Sequence, residues 1–237
     1  MGTRAERLDG LTLADTAYAR LRKDIIVGTR PPGERLRIEK LKTIYEIGPT
    51  PLREAMQKLA QDGLVVGEGN RGFTLAPLDA EELGDLNTAR TAIEKEALRL
   101  SLAKGSQEWE ASVVASAYIM AKEDERLART NGELLDSWER ANADFHAALV
   151  SACGSTWLLK VRSGLHDLCE RYRRASVYLK LGTRDLKSEH AAIAEAALAR
   201  DIERTCQLTE THFALTASAL KSDTLPGGPS ERCLGVR

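Results

Sequence analysis

Thr50-Pro51-Leu52-Arg53-Glu54-Ala55-Met56-Gln57-Lys58-Leu59 is the stretch whose reading decides the fold. Thr50 reads as an N-cap, with Pro51 at the first helical position, where a missing N–H costs nothing. Leu52, Ala55, Met56 and Leu59 recur at i, i+3, i+4 and i+7, which leaves Arg53, Gln57 and Lys58 outward. Gly63 ends the helix. Beyond it the period changes: Leu64-Val65-Val66 reads as a strand, Gly67 to Gly72 as a tight turn, and Phe73-Thr74-Leu75 as the returning strand.

Upstream, Asp15 to Val27 places Tyr18, Leu21 and Ile25 on one helical face, with Gly28 as a stop. Arg30-Pro31-Pro32-Gly33 is a turn, and a short helix over Ile38 to Tyr45 follows, broken by Gly48-Pro49. Three helices and a two-stranded hairpin describe a winged helix-turn-helix over residues 12–76, after a flexible N-terminus at 1–11.

Downstream, everything reads as helix. Asp79 with Glu82 three residues on opens a helix running to Lys104 and stopping at Gly105. Further helices are expected at Ser106–Arg129, Leu134–Cys153, Thr156–Leu181, Asp185–Arg200 and Asp201–Leu220, with glycine stops at Gly132, Gly154 and Gly182. The fold class predicted is mainly α: a winged helix-turn-helix followed by an all-helical antiparallel bundle over 77–221. The tail 222–237, with Pro226-Gly227-Gly228-Pro229, is expected to be disordered.

Composition agrees. The 237 residues are 43% hydrophobic and 29% charged, which excludes wholesale disorder. No apolar run approaches the ~18 residues of a membrane span, so no membrane partner is expected. A charged N-terminus without an apolar core predicts no export. Four scattered cysteines, without a CxxC pair, suit a reducing cytoplasm. Residues 1–76 carry three excess positive charges and residues 77–237 four excess negative ones, giving the net −1. A mildly basic first third fits nucleic acid if its charges share a face.

Thr50-Pro51-Leu52-Arg53-Glu54-Ala55-Met56, Leu59, Gly63-Leu64-Val65 and Arg71-Gly72-Phe73 together resemble the signature of GntR-family bacterial repressors. Asp144-Phe145-His146, Glu189-His190 and His212 resemble their FadR subfamily, with its FCD-type C-terminal ligand domain. The resemblance spans residues 12–220. Tyr45-Glu46-Ile47-Gly48-Pro49-Thr50-Pro51 also looks like a branch that senses dicarboxylates such as glutarate. Members usually carry Ser-Arg before the Thr-Pro pair, and that arginine touches DNA. Gly48-Pro49 stands there in this chain, so the resemblance implies a different operator preference and one basic contact fewer.

In a helix-turn-helix, the N-terminal end of the recognition helix enters the major groove while flanking groups grip phosphates. Thr50 is placed to meet a phosphate, beside free backbone N–H groups, and Arg53 to reach a guanine edge or a phosphate. Arg35, Arg37 and Lys42 flank the second helix, and Arg71 tips the wing. Taken singly, each also reads as a solvated surface charge.

His146, His190 and His212, three of the four histidines, each fall on an apolar helix face, with Asn142 one turn before His146. The resemblance implies an octahedral divalent-metal site in these domains, whose fourth ligand is commonly a carboxylate. Here that ligand would be the neutral amide of Asn142, with zinc or nickel the occupant by ligand type. The other reading is that the imidazoles bind an effector directly or pack in the core. By resemblance Arg90 projects into an effector pocket, to pair with a small carboxylate in a two-pronged contact. Glu94, one turn on, is a second candidate for that effector pocket; the other reading is an exposed i, i+4 ion pair with Arg90. Within Arg171-Tyr172-Arg173-Arg174, Tyr172 is a cavity candidate and the arginines read as solvated. His166 has no identifiable partner, and Trp109, Trp138 and Trp157 read as core or dimer contacts.

Together these features predict a homodimeric, ligand-responsive repressor on a near-palindromic double-stranded operator, without enzymatic activity. The alternative is a histidine-rich metallohydrolase with an accessory DNA-binding domain. It lacks an HExxH motif, a carboxylate dyad or a Ser-His pair, and leaves the winged module unexplained. A purely structural helical adaptor leaves the buried polar cluster unexplained.

Overall fold

The computed structural model describes residues 10–67, 72–130, 136–175 and 184–221. The chain divides into two compact units, one reaching Asp79 and the other beginning at Ala80. The wing tip with Arg71, the stops at Gly132 and Gly182, and the two chain ends lie outside the described residues.

In the first unit, α1 (Leu13–Ile26) is capped by Thr12, whose hydroxyl oxygen accepts from the Asp15 amide at 3.1 Å. Helix α2 (Ile38–Tyr45) has the expected bounds and ends on Glu46 in the left-handed region, at φ 56°. Helix α3 runs Pro49–Gln61, and its cap is Gly48 rather than Thr50. The reason is Pro49: its fixed φ suits the first helical position, so the helix begins one residue before Thr50. This also corrects the expected free amides. Pro49 and Pro51 have no N–H and the Leu52 amide bonds to the Gly48 carbonyl at 3.3 Å, so within the first turn only the Thr50 N–H is free of the helix.

The sheet has three strands among the described residues rather than two. β1 (Arg35–Leu36), β2 (Val65–Gly67) and β3 (Phe73–Leu75) lie in the order β1-β3-β2, antiparallel throughout. Leu36 pairs with Phe73, and Val65 with Leu75. Leu21 and Ile25 of α1, Leu41 and Tyr45 of α2, and Leu52, Met56 and Leu59 of α3 form the core with Leu36, Val65 and Leu75. At ~1.5–3 kcal/mol for each large apolar side chain buried, that core holds the unit together.

The second unit is all helix among its described residues: α4 (Ala80–Lys104), α5 (Gln107–Arg129), α6 (Asp136–Val150), α7 (Thr156–Ala175), α8 (Leu186–Leu198) and α9 (Ile202–Lys221). Ser106 caps α5 and Asp185 caps α8. Gly154, at φ 73°, makes the left-handed turn before α7. Helix α4 packs on α6, α7 and α9, while α5 packs on α6 and α8. Trp109 and Trp138 are buried in this bundle, whereas Trp157 is 70% exposed. No helix of the described residues is long and apolar enough to cross a membrane.

Candidate functional site

Two regions gather the residues singled out in the sequence. On the winged unit Arg35, Arg37, Lys42, Thr50 and Arg53 are all exposed. Arg53 lies on the outward face of α3, opposite buried Leu52, Ala55, Met56 and Leu59. Arg35 is part of β1, opposite Thr74, instead of merely flanking α2. Lys58 is held by Asp15 at 2.6 Å, and that contact brings the Asp15 carboxyl down to about 2.

In the helical unit, His146 on α6, His190 on α8 and His212 on α9 converge. Their ring centroids are 5.9 Å (146–190), 5.4 Å (146–212) and 4.8 Å (190–212) apart. One nitrogen from each falls within 4.8 Å of the other two, and all three side chains are buried. Asn142, one turn before His146, lines a narrow cavity together with His146, His212, Arg90, Trp138 and Arg173.

The partners of these imidazoles come from carboxylates. Nδ1 of His190 lies 2.7 Å from Asp124 Oδ2, and Nδ1 of His212 lies 2.7 Å from Glu189 Oε2. Asp124 is fixed in turn by Trp138 Nε1, which donates to Oδ1 at 2.8 Å. Glu189 is fixed by Arg184, whose Nε donates at 3.2 Å. A carboxylate on one ring nitrogen orients the imidazole and leaves the other nitrogen for a ligand.

Nε2 of His190 and both nitrogens of His146 are buried with no hydrogen-bond partner among the described residues. Burial, helped by the neighbouring His212, holds His146 well below its ordinary range. Burial likewise lowers His212 to about 3, against the opposing pull of Glu189. Both therefore stay neutral at pH 7, the state in which imidazole ligates a cation. Unpartnered buried nitrogens carry a desolvation cost, and this set of imidazoles with one amide oxygen fits a first-row divalent ion.

Beside the cluster the bundle core is ionic. Arg162 on α7 meets Glu94 at 2.9 Å, and Arg173 grips Glu139 through two contacts of 2.9 Å. Although burial opposes it, the Glu139 carboxylate pushes Arg173 above the ordinary arginine range. Arg90, another buried guanidinium, has no such carboxylate among the described residues. It lies 3.8 Å over the Phe213 ring, its Nη2 is 3.4 Å from Nδ1 of His166, and its buried Nε has no partner among the described residues. Burial therefore lowers its proton affinity.

Several sequence readings change here. The Arg90–Glu94 bridge does not form: both side chains are buried and Glu94 is taken by Arg162. Tyr172 is not among the residues lining the Arg90 cavity, because its hydroxyl donates to Glu82 at 2.6 Å between α7 and α4. The run Arg171-Tyr172-Arg173 is buried rather than solvated. His166 has a partner, Arg90. Asp124, Glu139, Arg162 and Phe213 were not singled out in the sequence. A signal existed: Asp124 falls on the face of Trp109, Val113, Met120 and Leu127, a lone charge in an apolar stripe.

Comparison with known proteins bears on both units. Residues 13–75 match the family model for bacterial regulatory proteins of the gntR family, and residues 85–215 match the FCD domain. The uncharacterized HTH-type transcriptional regulator BphR of Paraburkholderia xenovorans (strain LB400) is 40% identical over 210 residues, covering 89% of this chain and 86% of that protein. The HTH-type transcriptional repressor GlaR of Escherichia coli (strain K12) is 36% identical over 200 residues, 83% of this chain and 90% of that one. Among solved structures, E. coli McbR/YncC superposes with a TM-score of 0.73 at 17% identity, covering 90% of this chain and 98% of that one, which supports the fold. The metallohydrolase alternative has no support among these relatives, which are regulators and not enzymes. The chain belongs to the GntR family of DNA-binding transcription regulators, with an FCD domain as its helical unit.

Proposed function

We propose that the helical unit senses a small carboxylate, with a dicarboxylate as the leading class, and that two winged units paired in a homodimer grip a near-palindromic operator. The observation that carries the reading is Arg90, a buried guanidinium with no carboxylate partner among the described residues, beside a cluster of three imidazoles in which His146 and His190 keep unpartnered nitrogens. A buried cation of this kind is stabilised by an incoming carboxylate through charge-assisted hydrogen bonds.

Asn142, His146, His190 and His212 would hold a divalent ion, zinc or nickel by donor type, which when bound offers further coordination positions to an oxygen ligand. Asp124 and Glu189 keep two of those imidazoles oriented whether or not an effector is present. Arg90 then clamps the effector carboxylate from the other side of the cavity, and Phe213 excludes water along its guanidinium. Glu94 and Tyr172 act as supports, the first holding Arg162 and the second tying α7 to Glu82.

On the winged unit Arg53 reads a base edge, while Thr50, Arg35, Arg37 and Lys42 hold phosphates, with Arg71 of the wing as a further contact. One winged module offers few contacts, so a two-fold dimer supplies the second half-site. The relative GlaR is named a repressor, which favours repression as the direction of control. Such a protein works in the bacterial cytoplasm, where the operator is.

A thermal-shift titration of EDTA-treated full-length protein tests the sensor. Zinc or nickel should raise Tm, and glutarate should raise it further, by ~2.7 kcal/mol of stability at a hundredfold excess over Kd. Arg90→Ala should remove the glutarate shift and keep the metal shift. No response of the metal-loaded protein to any mono- or dicarboxylate would overturn the carboxylate reading.

A further inference from the structure

The outward face of α5 has a composition that a solvent-facing helix does not need. Trp109, Val113, Met120, Asp124 and Leu127 turn inward. On the opposite side Tyr118 is 66% exposed, Ile119 55% and Val114 53%, with exposed Ala111 and Ala115 between them. From Ala111 to Ile119 there is no charged residue. A surface helix ordinarily presents polar side chains there, and clustered exposed apolar residues mark an interaction face.

The charges at the two ends of this stripe say what covers it. Glu108 precedes it and Lys122 follows it, both exposed and on the same face. Each stands seven residues from Ala115, or ~10 Å along the helix axis at 1.5 Å per residue. We propose that two copies of the chain pair through this face, antiparallel, about a two-fold axis passing Ala115. That arrangement sets Glu108 of each copy opposite Lys122 of the other, whereas a parallel pairing sets like charges together. It also matches size to size. Ala111 meets Tyr118 and Ile119 of the second copy, and Ala115 meets its own equivalent, so the backbones come close. Lys122 Nζ lies 5.7 Å from the Tyr118 ring centroid, close enough for the cation to cap the apolar stripe at its rim. The inference rests on the homodimer reading and adds its location and register.

Sedimentation velocity on the full-length chain tests it, with circular dichroism as the fold control. Ile119→Asp, at an exposed position, should weaken the dimer by about a hundredfold without loss of helix. Glu108→Lys or Lys122→Glu alone should weaken it by about tenfold, and the two together should restore it. Ala115→Cys in a Cys233→Ser background should give a covalent dimer on oxidation, because Cys153, Cys169 and Cys206 are buried. Trp157→Cys, on α7, should not. A dimer indifferent to Ile119→Asp and uncrosslinked through position 115 would place the pairing on another face and overturn this proposal alone. A wild-type monomer at micromolar concentration would overturn the dimer reading with it.

Discussion

The carboxylate of Asp124 reaches His190 across 66 residues of sequence and sits 2.7 Å from its Nδ1. The same carboxylate accepts from Trp138 Nε1 at 2.8 Å, so α5, α6 and α8 are tied at one point. Nε2 of His190 is thereby left buried and, among the described residues, without a partner of its own. Asp124→Asn keeps the acceptor for Trp138 and takes away the charge that fixes the imidazole. It should lower zinc affinity ~10–100-fold in a competition titration, with little change in the Tm of the metal-free protein. Unchanged zinc affinity would leave Asp124 with a packing role only.

Arg53 projects from α3 with no ion pair among the described residues to hold it back. Arg53→Ala should cost ~1–3 kcal/mol on the operator and relax preference at one base position. Lys42→Ala should instead weaken binding to all sequences and flatten its salt dependence. Binding isotherms on operator and unrelated DNA at two salt concentrations separate the two behaviours. Equal losses from both variants on both DNAs would remove Arg53 from base readout.

The winged unit was legible because its signals are local: Thr50-Pro51 beside a 3.6-residue apolar period, then Gly63 and a change of period. What escaped was β1, since two residues, Arg35 and Leu36, have no period to read. The shift of the α3 cap from Thr50 to Gly48 escaped for a related reason, because Pro49 and Pro51 carry the same positional signal. In the bundle, the histidines were legible as polar residues on apolar faces. Their carboxylates were not, because contact between Asp124 and His190 or Arg173 and Glu139 is made by packing of distant helices. The arginine run misled for a different reason. Arg162, His166, Cys169 and Arg173 follow helical spacing and are all buried, but a core built from ion pairs reads as a surface in sequence.

Gly105 occupies a place that no side chain fits. A Cβ there would lie 2.6 Å from the Trp109 ring and 2.6 Å from Arg200 Nη1. The ring has little room to yield: its Nε1 donates to the Leu149 carbonyl at 3.3 Å and the Arg200 guanidinium lies 4.4 Å over it. Arg200 itself donates to the Leu102 and Gly105 carbonyls, each at 2.7 Å. Gly105→Ala should therefore destabilise the helical unit by ~1–3 kcal/mol through overpacking, read by chemical denaturation. Its effect should not add to that of Arg200→Ala, because both act on one contact. Full additivity in the double variant would show that the two losses are independent.

His166 gives the helical unit a dependence on pH that can be signed. Burial, with Arg90, Arg173 and Arg162 nearby, holds its imidazole well below 6.5 in the folded chain. In the unfolded chain it returns to ~6.5. Between the folded value and 6.5 the unfolded state binds a proton that the folded state does not, so stability rises with pH across that window. The contribution is fully present above pH 6.5 and is lost as pH falls below it. One such proton corresponds to a slope of ~1.4 kcal/mol per pH unit. His166→Gln keeps a polar group beside Arg90 and cannot titrate. Urea unfolding between pH 7.5 and 4.5 should thus show the wild type losing stability faster than the variant, by up to that slope. His146 and His212 add to the fall in both proteins, because they are shifted the same way, and so cancel in the difference. Parallel stability curves through this range would mean that His166 takes up its proton without unfolding, and Arg90 would then have to move away from it.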